Sequence, residues 1–170
     1  MDELKKFVIV DGKLQKYNGN EDAKITIPDG VEIIEEEAFE WCKNLASVVI
    51  PGSVREIAAN AFGFCENLEN VTLSEGLLSI GDYAFLECTN LKSLTMPSGV
   101  TKIGQYAFYC CTYLKDVYYL STISDWNKIE ITNTNDVLKK ATIHCIDGTI
   151  NEKVPTPQPQ PRPQPSPTPT

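Results

Sequence analysis

Residues 25–45 read Ile-Thr-Ile-Pro-Asp-Gly-Val-Glu-Ile-Ile-Glu-Glu-Glu-Ala-Phe-Glu-Trp-Cys-Lys-Asn-Leu, and the same skeleton returns three times downstream. Ala-Phe stands at 38–39, 61–62, 84–85 and 107–108, each 23 residues after the last. Three residues past each Phe comes Cys42, Cys65, Cys88 or Cys111, and three further on Leu45, Leu68, Leu91 or Leu114. Ahead of each Ala-Phe stands Ile34, Ile57, Ile80 or Ile103. A fixed period of this size marks a stack of small units, none of which buries its apolar side without its neighbours.

Within a unit the pattern changes period. Ile25-Thr26-Ile27, Val48-Val49-Ile50, Val71-Thr72-Leu73 and Leu94-Thr95-Met96 alternate and are rich in β-branched residues, as half-buried strands are. Stacked coils then set these strands into a parallel ladder at about 4.8 Å per coil. Pro28-Asp29-Gly30 and Pro97-Ser98-Gly99 predict type I turns with proline second and glycine fourth, and Pro51-Gly52 predicts a type II turn whose glycine takes positive φ. Spacings of three between Phe39, Cys42 and Leu45 predict a short helix or 3₁₀ segment closing the core on the far side. The expected fold class is therefore an α/β repeat solenoid.

The ends depart from the repeat, as capping units do. Residues 1–24 read as an N-terminal cap, with a strand over Phe7–Val10, a turn, and a strand to Tyr17. Residues 25–116 hold four 23-residue repeats. Residues 117–150 give a fifth strand at Val117-Tyr118-Tyr119, a helix over Ser121 to Glu130 laid across the open end, and a last strand over Ala141 to Cys145. From Pro155 to Pro169 proline occupies every odd position, so residues 151–170 read as an extended polyproline II linker. No two of those prolines lie three apart, which argues against a Pro-x-x-Pro docking motif. A spacer implies a further domain or attachment beyond Thr170.

Composition narrows the function. A net charge of −8 without any Lys/Arg cluster argues against nucleic acid. No apolar run approaches the roughly 18 residues of a membrane span, and Met1 to Val10 lacks a secretory signal's apolar region, which is expected either of a cytosolic protein or of a fragment of a longer chain. The run Glu35-Glu36-Glu37 reads as a solvated face. The chain is expected to be a monomer or part of a longer polypeptide.

Catalytic and metal chemistry find little support. Cys42, Cys65, Cys88 and Cys111 share one repeat position and run parallel, which suits free buried thiols better than the convergent geometry of a disulfide. Cys110 and Cys145 lie off that ladder and are open to pairing or to remaining free. The absence of a Cys-x-x-Cys pair argues against zinc, and no Gly-rich phosphate loop is present. The one histidine, His144, falls in the capping strand and reads as structural. No cofactor, metal or catalytic residue is expected.

Binding candidates follow from stacking. Outward strand residues Thr26, Val49, Thr72, Thr95 and Tyr118 should form one column, flanked by polar Lys24, Ser47, Asn70, Ser93 and Asp116. The same residues are also good strand formers with no partner at all. A second candidate patch is Trp41 and Phe64, equivalent positions in successive coils followed by Glu87 and Cys110, either exposed for a protein or sugar or packed against the far side.

The unit over Ile25 to Leu45 resembles the BspA-like leucine-rich repeat, and the stretch through Asp125-Trp126 and Ala141 to His144 is similar to the cap that follows such repeats in bacterial members. The resemblance covers roughly residues 5–146. It implies a right-handed leucine-rich-repeat solenoid capped at both ends, and a surface or secreted location. It also implies a non-catalytic role in adhesion, recognising a protein or glycan. The alternative is a structural spacer in a larger protein, with no ligand of its own.

Overall fold

The structure is a computed structural model that describes residues 3–19, 21–132 and 134–150. The extended linker expected over 151–170 lies outside the described residues. A 3₁₀ turn over Glu3–Lys6 leads into β1 (Phe7–Val10) and β2 (Lys13–Tyr17). Longer and two-residue strands then alternate: β3 (Lys24–Thr26), β4 (Ile33–Ile34), β5 (Ser47–Ile50), β6 (Glu56–Ile57), β7 (Asn70–Leu73), β8 (Ser79–Ile80), β9 (Ser93–Met96), β10 (Lys102–Ile103) and β11 (Asp116–Tyr119). The chain ends with α1 (Ile123–Trp126), β12 (Glu130–Ile131), α2 (Asp136–Lys140), β13 (Thr142–Cys145) and β14 (Gly148–Ile150).

Each coil feeds two ladders. The long one runs β14-β13-β11-β9-β7-β5-β3 and the short one β1-β2-β4-β6-β8-β10-β12. All pairs are parallel except the end hairpins β1–β2 and β13–β14. The short ladder is absent from the sequence expectation because two residues are too few to show alternation, although its inward members Ile34, Ile57, Ile80 and Ile103 were visible as a column.

The far side corrects the helical expectation. Glu36 to Leu45 is a chain of turns, with Glu40 N–H donating to Glu37 O, Cys42 to Phe39 O and Leu45 to Cys42 O. Left-handed residues break any helix at two positions per coil: Glu37 and Trp41 (φ 58° and 62°), Asn60 and Phe64 (53° and 58°), Tyr83 and Glu87 (58° and 57°), Tyr106 and Cys110 (55° and 61°). This alternation turns every second N–H towards the next coil, so Glu37 donates to Ala59 O (3.2 Å), Phe39 to Ala61 O (2.8 Å) and Trp41 to Gly63 O (2.9 Å). A third line of intercoil hydrogen bonds therefore joins the two ladders and satisfies backbone groups that a buried irregular loop would leave unpaired.

The turns after the long strands also differ from expectation. Proline comes first, not second: Pro28 O accepts from Val31 N–H, Pro51 O from Val54 N–H and Pro97 O from Val100 N–H. Gly30 takes φ 89° in open space, whereas Gly52 is not in the positive region. A Cβ on Gly52 would instead lie 2.6 Å from the Glu75 carbonyl oxygen of the next coil, so this glycine provides clearance. Gly52→Ala should destabilise by about 1–3 kcal/mol through forced separation of two coils, a loss readable as a lower urea midpoint. An unchanged midpoint would show that the coils separate freely there.

The core between the ladders is a pillar of rings. Phe39, Phe62, Phe85 and Phe108 are wholly buried and stack at 4.7, 5.2 and 5.3 Å with interplanar angles of 7°, 2° and 5°. Tyr17 (5.1 Å from Phe39) and Phe7 (5.0 Å from Tyr17) continue it into the N-terminal hairpin. Beside the rings the cysteine ladder is free, with the Cys65, Cys88 and Cys111 thiols donating to the carbonyls of Phe39, Phe62 and Phe85 at 3.2, 3.2 and 3.1 Å. Burial pushes the Cys42 thiol up to about 11 and holds the other three well above the ordinary range, so these side chains act as neutral packing groups.

At the C-terminal end the helix expected over Ser121 to Glu130 reduces to the four residues of α1, after which the chain rejoins the short ladder through β12. Trp126 is buried edge-on to Tyr119 (5.4 Å, 68°), so it belongs to a further coil and not to a lid. Cys110 and Cys145 are free and half-buried.

Candidate functional site

The outer face of the long ladder holds its residues in strict register. Thr26 pairs with Val49, Val49 with Thr72, Thr72 with Thr95 and Thr95 with Tyr118, and the column continues to His144 and Thr149. Lys24, Ser47, Asn70, Ser93, Asp116 and Thr142 form the parallel column beside it. Inward residues such as Val48, Val71, Leu94 and Val117 are buried, which forces their neighbours outward by the two-residue period. Thr26, Thr72 and Tyr118 are exposed, while Val49 and Thr95 are half-buried.

Near one end of this face Tyr118 stacks on His144 (4.7 Å, 13°), whose Nε2 lies 2.8 Å from Asp116 Oδ1. The triplet Asp116, His144, Tyr118 gives the face a rigid aromatic corner. His144 thus has a structural partner and also reaches the surface, a placement the sequence alone did not suggest. Among the described residues no group of three His, Cys, Asp or Glu side chains is placed to hold a metal.

The second sequence candidate lies on the turn side. Trp41 and Phe64 stack face to face (4.1 Å, 2°), Trp41 remains half-exposed, and Lys43 Nζ sits 5.3 Å from the Trp41 ring. The structure brings this pair together but places it on a different side of the coil from the Thr26-to-Tyr118 column.

Two features escaped the sequence reading. The first is Asn135, buried with 1% exposure, whose Oδ1 accepts from Phe108 N–H (3.2 Å) and whose Nδ2 donates to Gly104 O (2.8 Å) and Thr132 O (3.1 Å). In earlier coils the equivalent N–H groups, those of Phe62 and Phe85, find a backbone carbonyl one coil on. Where the repeat stops, a side-chain amide replaces it, and Thr134 Oγ1 does the same for Tyr106 N–H (2.9 Å). The second is a row of tyrosines on the turn side: Tyr83 stacks on Tyr106 (5.3 Å, 21°), and Tyr109 meets Tyr106 edge-on (5.5 Å, 86°). Its signal was present, since Tyr83 and Tyr106 hold one repeat position.

Comparison with known proteins agrees with this geometry. A family model described as BspA type leucine rich repeat region matches residues 16–137 in six copies. That count exceeds the four Ala-Phe units because flanking coils continue both ladders. Among solved structures, a leucine rich repeat protein of T. pallidum is 25% identical, with a TM-score of 0.53, over 71% of this chain and 73% of that one. A leucine-rich repeat protein from Bacteroides capillosus ATCC 29799 is 27% identical, with a TM-score of 0.55, over 67% of this chain and 98% of that one. A leucine rich cell surface protein from Faecalibacterium prausnitzii A2-165 is 36% identical, with a TM-score of 0.49, over 69% of this chain; the chain spans 38% of that protein's length. No curated protein matches the chain.

Proposed function

We propose, from the premise that the chain belongs to the BspA-type leucine-rich repeat family, that it is a non-catalytic recognition module of a bacterial surface or secreted protein. It binds a protein or glycan through the outer face of its long ladder. The observation that carries this reading is the in-register column from Thr26 to Tyr118, which offers hydroxyls and one aromatic corner on a surface whose backbone is already paired. A face with fixed spacing and satisfied backbone binds with little ordering entropy, as repeat-protein surfaces do. The assignment outside the cell and the non-catalytic role rest on the family. The division into an N-terminal cap (1–24), repeats (25–116), C-terminal cap (117–150) and tail (151–170) belongs to the same proposal.

A test is a binding screen of the full chain against matrix proteins and a glycan array. With a partner in hand, Tyr118→Ala is expected to weaken binding about tenfold by removing the exposed ring that packs on His144. Saturable binding that ignores Tyr118→Ala would move the site elsewhere, and silence across both panels would favour the alternative of a structural spacer within a longer protein.

A further inference from the structure

We infer that the cleft between the last tyrosine row and α2 is a binding site for an uncharged hexopyranose, separate from the ladder face and independent of what that face binds. The cleft has a volume of about 420 Å³ and opens on the turn side, lined among others by Tyr106, Tyr109, Thr134, Asp136 and Lys140. That size lies within the roughly 300–1,000 Å³ of small-ligand sites.

Its origin is the end of the repeat. In the preceding coils turn-side rings stack on the equivalent ring one coil on, Trp41 on Phe64 and Tyr83 on Tyr106. After Tyr106 the chain leaves the pattern through Thr132 and α2, and among the described residues no ring of a later coil stacks on it. Tyr106 is stacked on Tyr83 and also lines the cleft. Tyr109, half-exposed and perpendicular to Tyr106, forms the second wall.

The chemistry of the walls selects the ligand. A pyranose carries a C–H face that stacks on an aromatic ring and a rim of hydroxyls that need both acceptors and donors. Tyr106 and Tyr109 supply the aromatic surface. Asp136, held ionised by Lys139 (2.8 Å), supplies acceptors, while Lys140 donates and Thr134 Oγ1, already accepting from Tyr106 N–H, still carries a hydroxyl proton. A net charge of −8 disfavours acidic sugars. The chain's own proline-rich segment fits poorly: with proline at every odd position from 155 to 169, no two prolines have the three-residue spacing of a Pro-x-x-Pro docking motif.

The experiment is saturation-transfer NMR on the full chain with cellobiose, chitobiose, lactose and mannobiose, beside a peptide of residues 155–169. At least one disaccharide should receive saturation on its C–H protons. Its affinity should fall about tenfold in Tyr109→Ala, with a further loss in Asp136→Asn, and be retained in Tyr106→Phe. Tyr118→Ala should leave sugar binding unchanged, which separates this site from the ladder face. No saturation of any sugar, binding insensitive to Tyr109→Ala in a chain with native circular dichroism, or binding of the peptide instead would overturn the inference.

Discussion

Phe62→Ala is expected to destabilise the chain by about 3–5 kcal/mol, a large share of the roughly 5–15 kcal/mol that holds an ordinary domain together. The ring is wholly buried and touches a ring on each side, 4.7 Å from Phe39 and 5.2 Å from Phe85. Truncation removes apolar contact and leaves a void in the middle of the stacked-ring column. Because a solenoid's stability is a sum of unit and nearest-neighbour terms, loss at a central unit weakens two interfaces at once. Phe62→Leu keeps most of the apolar volume but not the stack, and should recover roughly half of the loss. Urea unfolding followed by far-ultraviolet circular dichroism measures both. A change below about 1 kcal/mol in Phe62→Ala would show that the pillar is not what holds the coils together.

The second large effect is at the end of the stack. Asn135→Leu removes the acceptor for Phe108 N–H and the donor to Gly104 O, both buried hydrogen bonds, and also the part-buried bond to Thr132 O, which still accepts from Asn135 N–H. Each buried backbone group left unpaired costs about 1–3 kcal/mol, so the two left by this substitution cost about 2–6 kcal/mol together. The damage should be local: α2 and β12 loosen, while coils nearer Phe39 keep their protection. Asn135→Asp should not rescue, because it keeps an acceptor but loses both donated bonds and buries charge. Native-state hydrogen exchange reads this directly at the Phe108 amide, which should exchange much faster in Asn135→Leu. Unchanged exchange there would mean that the side-chain amide is not the cap.

Much of this architecture was legible because the repeat writes each core position four times. Ala38, Phe39, Cys42 and Leu45 and their equivalents are all buried, as is every inward residue of the long strands β5, β7, β9 and β11. The spacing of three that suggested a helix is also the spacing of successive turns bonded i to i+3. Only backbone dihedrals tell them apart, and the left-handed residues are Glu, Trp, Asn, Phe, Tyr and Cys, not the glycines that would have announced them. Bulky residues are tolerated at these positions because rings stack across coils, Trp41 on Phe64 and Tyr83 on Tyr106.

Legibility fell where the repetition stopped. Asn135 has no equivalent in earlier units, and its role arises because the coil that follows Phe108 leaves the 23-residue pattern. Pro51-Gly52 was misread for a different reason: the glycine answers to a carbonyl 23 residues away, not to its own turn. The binding face sits between these cases. Its register is dictated by the repeat, yet threonine and valine look the same in sequence whether they meet a partner or simply form strand.

That last ambiguity is resolved most directly by Thr72→Arg, a bulky charge at the centre of the column and away from both ends. The measurement is surface plasmon resonance of the full chain and this variant over a panel of immobilised matrix proteins and glycans, with matched circular dichroism. Saturable binding by the natural chain that disappears in Thr72→Arg, with the fold intact, is the expected result. Binding that survives Thr72→Arg unchanged, or no saturable binding to any member of the panel, would contradict the ladder face as a recognition surface.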